Sequence, residues 1–270
     1  MKRLLLCAAI ILAWCGFGMA AQLQETTVRY QAGDTVLQGY LVYDAAVPGK
    51  RPGVLVVHEW WGVTDYVRQR ARMLAELGYT ALAIDMYGEG KQAADPTEAA
   101  AFSQALRQDA AAANQRFQAA EALLGQQDTV ERGKIAAIGY CFGGTIVLEM
   151  ARRGEPLAGV VSFHGNLATA QPAQAGQVAA KILVCHGDAD NLVPAEQLEQ
   201  FHREMAQAGV DAVVKIYADA THAFTNPQAD DYARKFNLPI AYNEAADRQS
   251  WQDMQDFFLS IGMAPARGLQ

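Results

Sequence analysis

The stretch Lys134-Ile135-Ala136-Ala137-Ile138-Gly139-Tyr140-Cys141-Phe142-Gly143-Gly144 decides how the rest of the chain is read. Residues 134–139 form a short apolar run without alternation, the pattern of a strand buried on both faces. Residues 145–153 carry helical spacing. Between the two, Cys141 stands in the arrangement glycine-x-nucleophile-x-glycine, with Cys where Ser is the commoner residue. The glycines allow a tight strand-to-helix turn and a close approach of neighbouring backbone. Such a turn lifts Sγ above the sheet at a helix N-terminus, where the dipole favours a thiolate. The Phe142 amide then points into the same space and suits an oxyanion donor. A buried cysteine beside a structural glycine turn would share the spacing, but the strand before it and the helix after it favour a nucleophile.

Working outward, residues 54–58, 80–85, 159–164, 182–186 and 213–217 repeat the continuous apolar pattern. Residues 25–30 and 35–43 instead alternate, as paired antiparallel strands do. Helical stretches are expected at 67–77, 96–124, 145–153, 195–208 and 242–261. This alternation predicts an α/β fold with a mostly parallel central sheet and helices on both faces. Functional residues collect at the C-terminal ends of such strands. Only residues 165–179 separate two of the strands where a lid domain could be inserted, so an open site without one is expected.

Two loops at those strand ends carry the matching chemistry. The run 182–186 leads into Gly187-Asp188-Ala189-Asp190-Asn191-Leu192-Val193-Pro194. Asp190, just before Val-Pro opens the next helix, is favoured as an orienting acid, and Asp188 as a turn residue of ordinary Gly-Asp chemistry. The run 213–217 is followed by Ala218-Asp219-Ala220-Thr221-His222-Ala223-Phe224, which puts His222 in the loop after the last strand. Nucleophile, acid and histidine thus come in the chain order that this strand–turn–helix arrangement requires. The histidines at 58, 164, 186 and 202 read as hydrogen-bonded structural residues. His58-Glu59 lacks the second His of a zinc helix, and no metal or other cofactor is expected.

The chain has 270 residues, 51% hydrophobic and 19% charged, enough for a sizeable core. With a net charge of −7 and no Lys/Arg cluster, nucleic acid and anionic membrane surfaces are excluded as partners. The opening MKRLLLCAAIILAWCGFGMAAQ reads as a secretory signal over residues 1–21, followed by one domain over 22–270. Its apolar run is too short to span a bilayer and ends in glycines. Export to the periplasm or beyond is therefore expected, with no membrane association after cleavage. The bulky Trp14 before Cys15 argues against a lipoprotein. Cleavage leaves Cys141 and Cys185, and Cys185 lies in a buried run, so a free thiol at Cys141 is expected rather than a disulfide. Nothing in the sequence points to an oligomeric state.

The elbow, Asp190-x-x-Val193-Pro194, Thr221-His222-Ala223-Phe224 and His58-Glu59-Trp60-Trp61-Gly62 together resemble the dienelactone hydrolase family of α/β-hydrolases, over roughly residues 25 to 260. The resemblance implies an α/β-hydrolase fold and a Cys-His-Asp triad of Cys141, His222 and Asp190. It implies that Glu59 stands beside the thiol, either accepting its proton or competing for contact with it. The amides of Phe142 and Trp60 would hold the oxyanion, and an acyl-enzyme would be resolved by water. The implied substrate is a small ester or lactone. The family's proper dienelactone hydrolases carry an Arg after Asp-x-Tyr and another after the His, both absent around Tyr87 and His222 here. Trp60, Trp61, Tyr87, Phe142 and Phe224 suggest instead an apolar pocket for a neutral substrate. Two other classes compete: a binding protein that kept the fold, and a thiol redox protein using Cys141. The intact triad and Glu59 oppose the first, and the lack of a Cys-x-x-Cys opposes the second.

Overall fold

The computed structural model describes residues 20–267; residues 1–19 of the expected signal segment lie outside the described residues. Eight strands form one sheet: β1 (Leu23–Ala32), β2 (Thr35–Asp44), β3 (Arg51–Val57), β4 (Thr80–Ile84), β5 (Val130–Tyr140), β6 (Gly159–Phe163), β7 (Lys181–Gly187) and β8 (Ala212–Tyr217). Their spatial order is β1-β2-β4-β3-β5-β6-β7-β8. The alternating pair β1 and β2 is antiparallel, β2 runs antiparallel to β4, and every pairing from β4 to β8 is parallel. That division follows the sequence pattern. Strands with one solvated face alternate, whereas β3, β4 and β6 are buried at every residue.

The helices are α1 (Asp65–Leu77), α2 (Pro96–Gln108), α3 (Ala110–Gly125), α4 (Phe142–Arg153), α5 (Ala195–Ala208), α6 (Ala229–Phe236) and α7 (Glu244–Ser260). Because side chains alternate along a strand, each central strand feeds two cores. Leu55, Val57 and Ala137 pack with Phe117 of α3, Val147 of α4 and Phe201 of α5. Val54, Val56 and Ile138 pack on the other face with Leu74 of α1 and Met254 and Phe258 of α7. Among the described residues, no helix or strand lies between β6 and β7.

Two expectations need correction. The single helix over 96–124 is two helices that meet at Asp109. The Asp109 amide closes α2 on Ala105 O at 3.2 Å, while its carboxylate caps α3 by accepting from Ala112 N at 2.9 Å. Capping a fresh helix satisfies donors that a continuous helix would not leave free, and the alanine-rich sequence hides the break. The sequence reading also passed over α6. It is only 8 residues long and heavily charged, and it is held by Tyr232 and Phe236 stacking on Trp61 at 4.6 and 5.9 Å.

The parallel register brings strand ends level. Val57 of β3 lies opposite Gly139 of β5, Tyr140 opposite Phe163 of β6, and Gly187 of β7 opposite Tyr217 of β8. Residues that follow those strands share one rim. The turn after β5 is the tightest of them, since α4 begins at Phe142 rather than at residue 145. A Cβ on Gly143 would overlap the carbonyl groups of Val57 and His58. Gly143→Ala should therefore lower the unfolding free energy by about 1–3 kcal/mol. The urea midpoint should fall with an unchanged slope; a variant as stable as the parent would mean that α4 has room to shift.

Candidate active site

Cys141 occupies the turn at φ 52° and ψ −114°, outside the regions that L side chains favour. Its amide donates to Phe163 O at 3.0 Å, and its carbonyl accepts the Thr145 amide at 3.2 Å as the first turn of α4. The amides of Phe142, Gly143 and Gly144 come at the head of that helix, where no intrahelical acceptor precedes them. The thiol is half-buried and free, as is the deeply buried Cys185.

After β7 the chain turns twice before α5. Asp190 N donates to Gly187 O at 3.1 Å, and its Oδ1 accepts from Leu192 N at 2.9 Å. This local turn aims the other oxygen inward, and Oδ2 accepts from His222 Nδ1 at 2.9 Å. Nδ1 therefore carries a proton, and Nε2 is left for Cys141. Burial alone would pull the His222 imidazole down. Charge and hydrogen bonding from Cys141, together with the Asp190 carboxylate, outweigh burial and push it up to about 10. Asp188 is exposed, its amide spent on Tyr217 O at 3.0 Å. The structure thus puts Asp190, not Asp188, against the histidine.

Glu59 follows β3 and is 4% exposed. His58 locks this strand end: its Nδ1 donates to Glu59 O at 2.5 Å, and its Nε2 accepts from Met86 N at 3.2 Å. The Glu59 carboxyl accepts from Asn226 Nδ2 at 2.7 Å. Burial raises it to about 7, against the opposing pull of Asn226, His222 and Arg70.

Glu59, Trp60, Trp61, Cys141, Phe142 and His222 line a common cavity of about 350 Å³. Tyr87 and Phe224 do not, which corrects their assignment to the pocket. Tyr87 lies behind it, its hydroxyl donating to Trp60 O at 3.0 Å and its ring packed on His58 and Phe142. Phe224 is fully buried against Tyr217 and His164, where an aromatic side chain fills the core beneath the loop. Sequence reasoning missed the opposite wall, made by Tyr232, Leu238, Pro239 and Ile240, the exposed Arg107 at the rim and the buried Asn226 beside Glu59. Arg107 is exposed, its Nη2 donating to Ser103 Oγ at 3.1 Å. Nothing in local sequence marks it, because α2 reaches the rim only in three dimensions. Among the described residues, no group of three or more His, Cys, Asp or Glu side chains is arranged to hold a metal ion.

A dienelactone hydrolase family model matches residues 37–262. Protein usf of Aquifex pyrophilus is 28% identical over 223 residues, 80% of this chain and 94% of that protein. An Escherichia coli (strain K12) protein whose name ascribes carboxymethylenebutenolidase activity to it is 27% identical over 272 residues, 92% of this chain and 96% of that one. Among solved structures, a dienelactone hydrolase-like promiscuous phosphotriesterase from metagenomic libraries superposes with a TM-score of 0.82 at 37% identity, over 88% of this chain and 98% of that chain.

The raised Glu59 carboxyl has a consequence for stability. Its folded value of about 7 lies above the ordinary 4.5, so the folded state binds the proton more tightly. Stability from this group is present below the ordinary value and is lost as pH rises through the folded one. Glu59→Gln should remove that loss. Urea midpoints should show the variant gaining on the parent at about pH 8 but not at about pH 4; an equal difference at both would refute the assignment.

Proposed function

The chain belongs to the dienelactone hydrolase family, and on that premise we propose that it hydrolyses a small neutral carboxylic ester or lactone through Cys141, with His222 and Asp190 as its partners. The observation that carries the reading is the Asp190 Oδ2 to His222 Nδ1 bond of 2.9 Å on the wall of a cavity that Cys141 also lines. His222 Nε2 takes the thiol proton, and Sγ attacks the carbonyl carbon. The amides of Phe142 and Trp60 hold the oxyanion. Collapse expels the alkoxide, which leaves with the proton from Nε2, and a thioester remains on Cys141. Water then attacks with Nε2 as base; the acid departs and Sγ is restored. Glu59 tunes the thiol. While neutral it spares the thiolate, and once ionised, as pH rises through about 7, it opposes the thiolate by like-charge repulsion.

The walls favour apolar substrates, with Trp60, Trp61, Leu238 and Ile240 around the thiol. A neutral phosphotriester fits the same description. The 37% identical relative named as a promiscuous phosphotriesterase favours this as a side activity. Thiol redox chemistry is less well supported, because the Cys185 thiol is buried and pushed up to about 12 by that burial, which leaves no ready resolving thiolate. A binding protein without catalysis would not need an acid aimed at a histidine beside a thiol. We further propose that residues 1–21 direct export and are removed.

Cys141→Ala should abolish turnover of p-nitrophenyl esters, by several orders of magnitude, in a folded protein. Asp190→Asn should cost about 10⁴ in rate, as in other triads, and Asp188→Asn far less; the reverse ranking would mean that the wrong carboxylate has been assigned. N-terminal sequencing of material from native cells should begin near Ala21 or Gln22, and a chain retaining Lys2 would refute export by cleavage.

A further inference from the structure

His164 is a buried titratable group that this chemistry leaves without a task. It follows β6 at φ 42° and is 1% exposed. Its ring stands edge-on to that of His222 at 5.2 Å. Its Nδ1 lies 3.1 Å from the Cys141 amide nitrogen, an amide shared with Phe163 O. An amide can only donate, so Nδ1 carries the lone pair and the neutral ring holds its proton on Nε2. Nε2 then donates to Thr225 Oγ1 at 2.8 Å. The Thr225 hydroxyl shares a further hydrogen bond of 2.6 Å with Tyr66 Oη, in which either oxygen can donate. Tyr66 Oη also accepts from Arg70 Nε at 3.3 Å. Arg70 Nη2 donates to Thr225 O and to Asp247 Oδ1, both at 2.5 Å. From His164 to Asp247 the chain of bonds is buried, and its Cys141 end is part-buried. The Cys141 amide fixes the direction of the bonds through His164 as far as Thr225.

We propose that His164 and Thr225 are positioning residues of the hydrolytic site: their hydrogen-bonded chain clamps the Cys141 backbone to the segment carrying His222, with Arg70 and Asp247 as its far anchor. This rests on the reading of Cys141 and His222 given above. Thr225 stands three residues after His222, and its neighbour Asn226 holds Glu59 at 2.7 Å. One short segment therefore fixes the histidine, the nucleophile's backbone and the carboxyl beside it. Cys141 at φ 52° persists only where its surroundings over-determine it, and the clamp is part of those surroundings. Burial and the neighbouring charges of His222 and Arg70 keep His164 well below the ordinary histidine range, consistent with an acceptor that must not protonate. A protonated ring would present a donor to the Cys141 amide and break the chain.

Thr225→Val keeps the shape but removes the hydroxyl, whereas Thr225→Ser keeps the hydroxyl. The test measures kcat and KM for p-nitrophenyl butyrate, the pH profile of Cys141 alkylation by iodoacetamide, and the His164 ring nitrogens by NMR in the full chain. The valine variant should lose about 10- to 100-fold in kcat with KM within about twofold, and its alkylation profile should move. The serine variant should stay within about threefold of the parent. In the parent, His164 should remain neutral with its proton on Nε2 between about pH 5 and pH 9. A folded valine variant with parental kcat and alkylation overturns the proposal. So does a serine variant as impaired as valine, or a His164 that titrates in that range or carries its proton on Nδ1. Should Thr225→Val fail to fold, the serine variant and the ring nitrogens decide. Should the parent neither turn over ester nor alkylate, the hydrolytic reading fails, and the ring nitrogens still decide the clamp.

Discussion

The site depends on how closely α4 can approach the sheet. Cys141 is held at φ 52° and ψ −114°, a conformation that costs on the order of 1–3 kcal/mol for a residue with a side chain. It is kept there from both sides. β3 and β6 flank β5, and the carbonyls of Val57 and His58 sit against Gly143 with no space for a methyl group. Relaxing the turn would drive the head of α4 into those strands. The same crowding presents the unpaired amides of α4 beside Sγ, so strain and electrostatics at the cysteine have a single cause.

Around that turn, carboxyl groups in unlike surroundings do different work. Asp190 accepts from a backbone amide and from an imidazole, both fixed by its own turn. Glu59 is as deeply buried and accepts from a neutral amide, Asn226, and burial raises it. The cation that balances Asp247 is Arg70, whose guanidinium also stands over Tyr66, Tyr140 and Trp251 at 5.2 to 5.5 Å. A buried guanidinium shared between one carboxylate and three aromatic faces keeps its charge without leaving it uncompensated.

Much of this was legible in sequence because the signals were local. A strand feeding a Gly-x-Cys-x-Gly turn can be read from eleven consecutive residues, 134–144, and uninterrupted apolar runs placed the parallel strands, although β3 begins at Arg51 and β5 at Val130, ahead of the runs at 54 and 134. Asp190 was separable from Asp188 because only one stands next to a helix start. Local signals fail where the determinant is a partner far along the chain. Tyr87 and Phe224 look like pocket residues from their places after β4 and β8, yet their rings turn into the protein to fill space behind the cavity. Arg107 and Tyr232 reach the cavity from helices whose sequences announce nothing. The break at Asp109 was hidden because alanine is at ease on either side of a cap.

The cavity wall formed by Tyr232 and residues 238–240 lies wholly downstream of His222 and upstream of α7. It contributes no strand to the sheet; Tyr232 stacks on Trp61, and Ile240 bridges to His222 backbone to backbone. On the proposed reading, chemistry and selectivity are carried by different pieces of the chain, joined at that bridge. The framework that holds Cys141 in its turn is built from neighbouring strands, with no room for a methyl group at Gly143. The segment that lines the cavity opposite it is short and peripheral. Insertions or replacements there can widen or close the mouth while the reacting groups stay in register, which is the route by which one scaffold comes to serve many substrates.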